Sequence, residues 1–133
     1  MNKHVDGYLP NEGWTLVFGS NLSGLHHGGA ARQAYQSFGA YWGQPIGPMG
    51  DSYAIPTKNA AIDATLPLHV IEIFVDGFIK YAKQHPEKKF FITRIGAGLA
   101  GYTDEIMAPM FKDVPDNCSV AEAWYDIIER TIA

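Results

Sequence analysis

The sequence predicts an α/β domain whose sheet is mainly parallel and covered by helices. Three short runs rich in branched and aromatic residues read as strands: Trp14 to Phe18, Ser52 to Thr57 and Lys89 to Ile95. Each leads through turn-forming residues into a segment of helical spacing, the alternation that builds a parallel sheet under helices. Glycine placement is the third observation. Of the 14 glycines, eight lie between Gly19 and Gly50 and three more at Gly96, Gly98 and Gly101, so they gather after the first and third strands.

The first strand ends at Gly19-Ser20-Asn21, and Gly28-Gly29 opens a helix. Ala30, Ala31, Ala34, Tyr35 and Phe38 mark one face of it and Gly39 is its stop. Residues 40 to 51 hold two prolines and three glycines and read as loop. In the second strand Pro56 cannot donate to a ladder, so the strand is expected to end there, with Lys58 at its tip. Val70, Phe74, Phe78 and Tyr81 give the long segment from Leu66 to Gln84 a helical period, closed by His85-Pro86. After the third strand, Thr103 to Phe111 reads as a short helix capped by Thr103 or Asp104 and broken at Pro109. An extended piece near Asn117 is a further strand candidate. Ser119-Val-Ala-Glu122 has the form of a capping box opening a C-terminal helix with Ala123, Ile127 and Ile128 on one face. Trp14, Phe74, Phe78 and Trp124 are expected in the core.

A chain of 133 residues forms one domain, residues 1 to 133, able to bury roughly two-thirds of its unfolded surface. With 47% hydrophobic and 18% charged residues the composition is that of a folded protein. The sequence has neither a membrane-length apolar run nor, in MNKHVDGYLPNEG, the apolar core of a signal peptide, which points to the cytoplasm. Cys118 is the single cysteine, so neither an internal disulfide nor a cysteine zinc cluster is expected, and no histidine spacing suggests another metal site. No cofactor is called for. Net charge is -4 and no Lys/Arg stripe is present, which argues against an extended nucleic-acid surface.

Gly96, Gly98 and Gly101 fit the G-x-G-x-x-G of a dinucleotide site, but the position is wrong. Such a unit needs another helix and strand behind it and an acidic residue about 20 positions on, and Glu122 is already part of the capping box. The alternation instead sets GSNLSGLHHGGAA, Lys58 and GAGLAGY on one rim, at the carboxyl ends of the strands. Two glycine-rich turns there make two backbone anion nests, which suit a diphosphate. No G-x-x-x-x-G-K-[ST] is present, so phosphoryl transfer is not indicated.

GSNLSGLHHGGAARQAY, SYAIPTK and TRIGAGLAGY, in that order and spacing, resemble macrodomains, the ADP-ribose-binding α/β/α fold with three layers and a mostly parallel central sheet. The resemblance runs from about Trp14 to Met110, and IPTK followed by RIGAGL is most similar to the branch containing terminal ADP-ribose glycohydrolase and the antitoxin that removes ADP-ribose from DNA. It implies a ligand of ADP-ribose type, free or attached to a protein or nucleic acid. It also implies that Lys58 attacks an anomeric carbon, provided that free amine is present near neutral pH. The aspartate that follows Gly-x-Gly-Leu in the glycohydrolase is Ala100 here, which leaves Asp104 as the substitute. The Asp after Gly-Gly-x of the other hydrolytic branch is Ala31.

The candidate catalytic residues are therefore Lys58, Asp104 and His27. The candidate ligand residues are Asn21, Gly28, Gly29, Ala30 and Arg94, with Gly96, Ala97, Gly98, Leu99, Ala100, Gly101 and Tyr102. Asn21 either holds a ribose or caps a turn. One of the loop histidines His26 and His27 approaches the sugar or acts as a base, or both are simply exposed. Arg94 forks a phosphate or pairs with a carboxylate such as Asp51. Tyr102 covers a ring of the ligand or caps the core, and Tyr41 and Trp42 stack on a base or anchor their own loop. Hydrolysis of an ADP-ribosyl bond is the favoured activity. A non-catalytic reader of such nucleotides, which has no need of the acids missing at Ala31 and Ala100, is the alternative.

Overall fold

The computed structural model describes every residue except Leu99 and Ala133. Six strands form one sheet: β1 (Asn2–His4), β2 (Trp14–Asn21), β3 (Gly47–Met49), β4 (Ser52–Lys58), β5 (Lys89–Ile92) and β6 (Cys118–Ala121). Their order is β1-β6-β5-β2-β4-β3, every pair parallel except β3 with β4. Four helices accompany them, α1 (Gly29–Ser37), α2 (Leu68–Gln84), α3 (Asp104–Met107) and α4 (Glu122–Ile132), with a 3-10 turn over Ala108–Phe111.

Side chains alternate across the sheet, so Val17 and Ile55 join one core while Leu16, Phe18 and Ala54 join the other. The larger core takes Ile71, Val75 and Phe78 of α2, Phe111, and Trp124 and Ile128 of α4. The smaller is closed by Ala34 of α1, with Ala30, Ala31 and Phe38 beside it. Each fully buried large side chain contributes roughly 1.5–3 kcal/mol. The result is the three-layer α/β/α arrangement with a mostly parallel sheet.

Several boundaries differ from the sequence reading. β1 and β3 are three-residue edge strands that carry no periodicity of their own, and β3 lies inside the span read as loop. Pro56 does not end β4. The neighbouring β3 reaches only as far as Ala54, so on that edge no acceptor waits for the amide hydrogen that proline lacks. β5 stops at Ile92 and α2 starts at Leu68, after Pro67. Ser119 is a residue of β6 rather than a helix cap, and its hydroxyl bonds to Nδ1 of His4 at 2.7 Å. Trp14 and Phe74 are only partly buried against their cores, whereas Phe78 and Trp124 are fully enclosed. Among the described residues no helix is long and apolar enough to cross a membrane.

Candidate functional site

Because β2, β4 and β5 run parallel, their carboxyl ends lie side by side, and the three segments that leave them enclose one cavity of about 330 Å³. The first segment contributes Asn21, Leu25 and His27, then Gly28, Gly29, Ala30 and Ala31 where α1 begins. The second contributes Thr57, Lys58 and Ile62. The third contributes Thr93, Arg94 and Ile95, then Gly96, Gly98 and Ala100. The two glycine-rich turns and the lysine, 30 to 70 residues apart in sequence, thus face a common space.

The first turn is braced from within and behind. Asn21 is buried: its Oδ1 accepts from the Leu25 amide at 3.0 Å and the Ser23 hydroxyl at 2.8 Å, and its Nδ2 donates to the Leu25 carbonyl at 2.8 Å. The side chain is thus a turn-former, with one Nδ2 hydrogen left over. Gly24 sits at φ +69, where an added Cβ would be 2.5 Å from the main chain of Gly43 and Gln44. The Gly43 amide donates to the Gly24 carbonyl at 2.9 Å, and the Ser20 hydroxyl donates to the Pro45 carbonyl. His26 is no exposed loop residue: it is 1% exposed, and its Nε2–H donates to the Tyr41 carbonyl at 2.9 Å. Burial holds its pKa below 6.5. His27 is the exposed member of the pair, edge-on to Trp42 at 4.9 Å, and Trp42 in turn meets Tyr35 at 5.3 Å. Trp42 is therefore an anchor of its own neighbourhood. Gly28 caps α1 without a side-chain bond, and the first turn of that helix holds no acidic residue, so its positive end is neither capped nor neutralised.

The second segment contains a feature absent from the sequence reading. Ser20 pairs with Pro56 but Asn21 pairs with Lys58, so Thr57 is an extra residue that bends β4 at the rim. Lys58 and Thr65 then bridge, and the Asn59 side chain ties the intervening loop by accepting from the amides of Asp63 and Ala64 and donating to the Asp63 carboxylate. Asn59 and Asp63 between a strand and a proline-started helix were the available signal for this loop.

The third segment is held by charge. Arg94 Nε and Nη2 donate to the two oxygens of Asp104 at 2.8 and 2.7 Å, and Nη1 donates to Asp6 at 3.2 Å. Asp104 Oδ1 also accepts from Trp124 Nε1 at 2.7 Å. These hydrogen bonds, from Arg94 first, hold the Asp104 carboxyl below its ordinary range. The expected partnership of Asp104 with Lys58 is corrected accordingly: Asp104 does not line the cavity, and both its oxygens are occupied. Arg94 does line it, as one side of an ion pair with Asp104 and Asp6 rather than Asp51. Tyr102 turns away, donating to the Leu66 carbonyl at 2.9 Å and packing on the main core. Ala97 packs on the same core, and neither it nor Gly101 lines the cavity. Leu99 lies outside the described residues. α3 is a single turn with Thr103 accepting from the Ile106 amide, so this second turn has no open helix end behind it. Cys118 is buried with its thiol pushed up to about 12, unsuited to nucleophilic chemistry. Among the described residues no group of three or more His, Cys, Asp or Glu is placed to hold a metal.

The sheet order and three layers are consistent with a macrodomain fold, by likeness to solved structures. Two solved structures are similar to it. The macrodomain of Mycobacterium tuberculosis DarG matches over 91% of this chain and 96% of its own, with TM-score 0.64 and 17% identity. Thermosipho africanus DarTG in complex with ADP-ribose matches over 83% of this chain and 38% of its own, with TM-score 0.55 and 16% identity. No family model matches the chain, and no curated protein matches it in sequence.

Proposed function

We propose that the chain, acting as one domain, binds ADP-ribose with its diphosphate between the turns at 21 to 31 and 96 to 102, and hydrolyses an ADP-ribosyl linkage. One observation carries the reading: both glycine-rich turns and Lys58 line the same cavity. The glycine-rich backbone of both turns and the unneutralised start of α1 suit a diphosphate, since backbone donors and helix starts favour negative charge. The similarity to a protein solved with ADP-ribose supports the choice of ligand.

In this reading the ribose carrying the scissile bond lies beside Lys58. The amine lone pair of Lys58 forms a bond to the anomeric carbon while the bond to the modified group breaks, its electron pair leaving with that group. His27, on the same cavity, delivers the proton the leaving group needs. His27 then takes a proton from water, whose oxygen bonds to the anomeric carbon as the carbon–nitrogen bond to Lys58 breaks, its electron pair returning to the amine, and free ADP-ribose results. A non-catalytic reader is the second reading. Ala31 and Ala100 on the cavity wall favour it, as does the engagement of Asp104 elsewhere.

Calorimetric titration with ADP-ribose, AMP and NAD tests binding, and ADP-ribose should bind tightest. Release of free ADP-ribose from modified protein and from modified nucleic acid tests turnover. Lys58→Ala is expected to abolish release and to leave affinity close to the parent. Release that continues in this variant rules out the lysine nucleophile, and tight binding with no release in the parent leaves the reader.

A further inference from the structure

Ile62 is the one non-glycine residue at positive φ among those described, at +61°, and it lines the cavity together with Lys58. A branched side chain is crowded in that conformation, which is ordinarily left to glycine or asparagine. The surrounding loop over-determines it. The Ile62 amide donates to the Asn59 carbonyl at 3.1 Å, the Asn59 side chain holds Asp63 and Ala64, and Thr65 bridges to Lys58. The Thr65 hydroxyl also donates to the Ala100 carbonyl, so this loop is fastened to the second glycine turn across the cavity. Strain held in place by that many contacts, at a residue whose side chain borders an open cavity, marks a position kept for what it presents to a ligand.

Resting on the ADP-ribose reading, we infer that Ile62 is a specificity-determining residue that presents an apolar wall to the ribose beside Lys58. The wall covers one side of that sugar, removes water from it, and disfavours ligands that place a charged group there. The proposed diphosphate turns are built from residues 21 to 31 and 96 to 102, and are joined to this loop through Thr65 rather than through the Ile62 side chain. Ile62 therefore distinguishes nucleotides that carry the second ribose from those that end at the phosphate.

Three variants test this against ADP-ribose and AMP by calorimetry, with thermal melts alongside. Ile62→Gly and Ile62→Asn relieve the crowded backbone while removing the apolar wall, and Ile62→Val keeps the wall. The Gly and Asn variants are expected to melt at or above the parent temperature, to lose about fivefold in ADP-ribose affinity, and to keep parental AMP affinity. Val should bind like the parent. Equal losses for ADP-ribose and AMP, or losses that follow a lowered melting temperature, overturn the inference and make Ile62 a structural residue. Parental affinity in the Gly and Asn variants overturns it alone and leaves the nucleotide reading standing. No ADP-ribose binding by the parent overturns both.

Discussion

The two glycine-rich turns face one cavity but are fixed by opposite physics. The first is held by neutral hydrogen bonds and by backbone pressed on backbone: Gly24 against Gly43 and Gln44, Asn21 folded into its own turn, and His26 buried behind. The second is closed by a charged staple, Arg94 to Asp104, with Asp6 and Trp124 attached and the flexible Met107 beneath Gly96. Neutral close packing tolerates no added atom, whereas a staple over a flexible side chain yields. The cavity is thus bordered by one turn closed by main-chain packing and one closed by a charged staple.

Substituting one glycine in each turn puts that difference to its strongest test. Gly24 and Gly96 both have positive φ, +69° and +78°, so a Cβ is strained at either. At Gly24 the new atom also meets main chain at 2.5 Å, which cannot withdraw. At Gly96 it meets the end of Met107 at 2.8 Å, which can. Gly24→Ala should cost about 3 kcal/mol or more of stability and lower ADP-ribose affinity at least tenfold, with Gly96→Ala costing about half as much. Denaturant unfolding and calorimetry on both variants decide it. Equal costs would mean that the two turns do not differ in rigidity.

Asp104→Asn breaks the staple with little change of shape. The amide keeps an acceptor for Trp124 but presents a donor to the Arg94 fork, so about 1–2 kcal/mol of stability should go. ADP-ribose affinity should fall severalfold while Lys58-dependent release, measured at saturating substrate, stays near the parent. Release that collapses at saturation would return Asp104 to the chemistry.

Much of this was legible in the sequence and some was not, for reasons particular to each residue. β2, β4 and β5 announce themselves because strands covered on both faces must be apolar throughout, and the glycine turns follow from the need for positive φ. The pairing of residue 94 with 104 depends on where a strand ends and a one-turn helix begins, which composition does not encode. Ser119 and Glu122 had the right letters for a capping box, but parallel pairing of β6 with β1 and β5 overrode the local preference. Tyr102 and Asp104 follow a loop that does face the cavity, and simple proximity in sequence extended the site to residues engaged elsewhere, Tyr102 with the core and Asp104 with Arg94 and Trp124.

Acidity separates the two turns by the smallest margin. Burial holds the native pKa of His26 below 6.5, so its contribution to stability is complete above about pH 6.5 and is lost as pH falls through the native value. Asp104 is held below 3.8 by the Arg94 hydrogen bonds, so its contribution is complete above about pH 4 and is lost only below that. Between these limits acid works against the first turn, because a second proton on His26 must sit at Nδ1, a buried atom without a partner, while the staple stands. Melting temperature should decline gently from pH 7 to pH 5, by less than Asp104→Asn costs at neutral pH. His26→Gln, whose amide can still donate to the Tyr41 carbonyl, should flatten part of that decline. His4, also held low by burial, acts in the same direction. A decline as steep in His26→Gln as in the parent would place the acid-sensitive element outside the first turn and leave its rigidity to Gly24 and Asn21 alone.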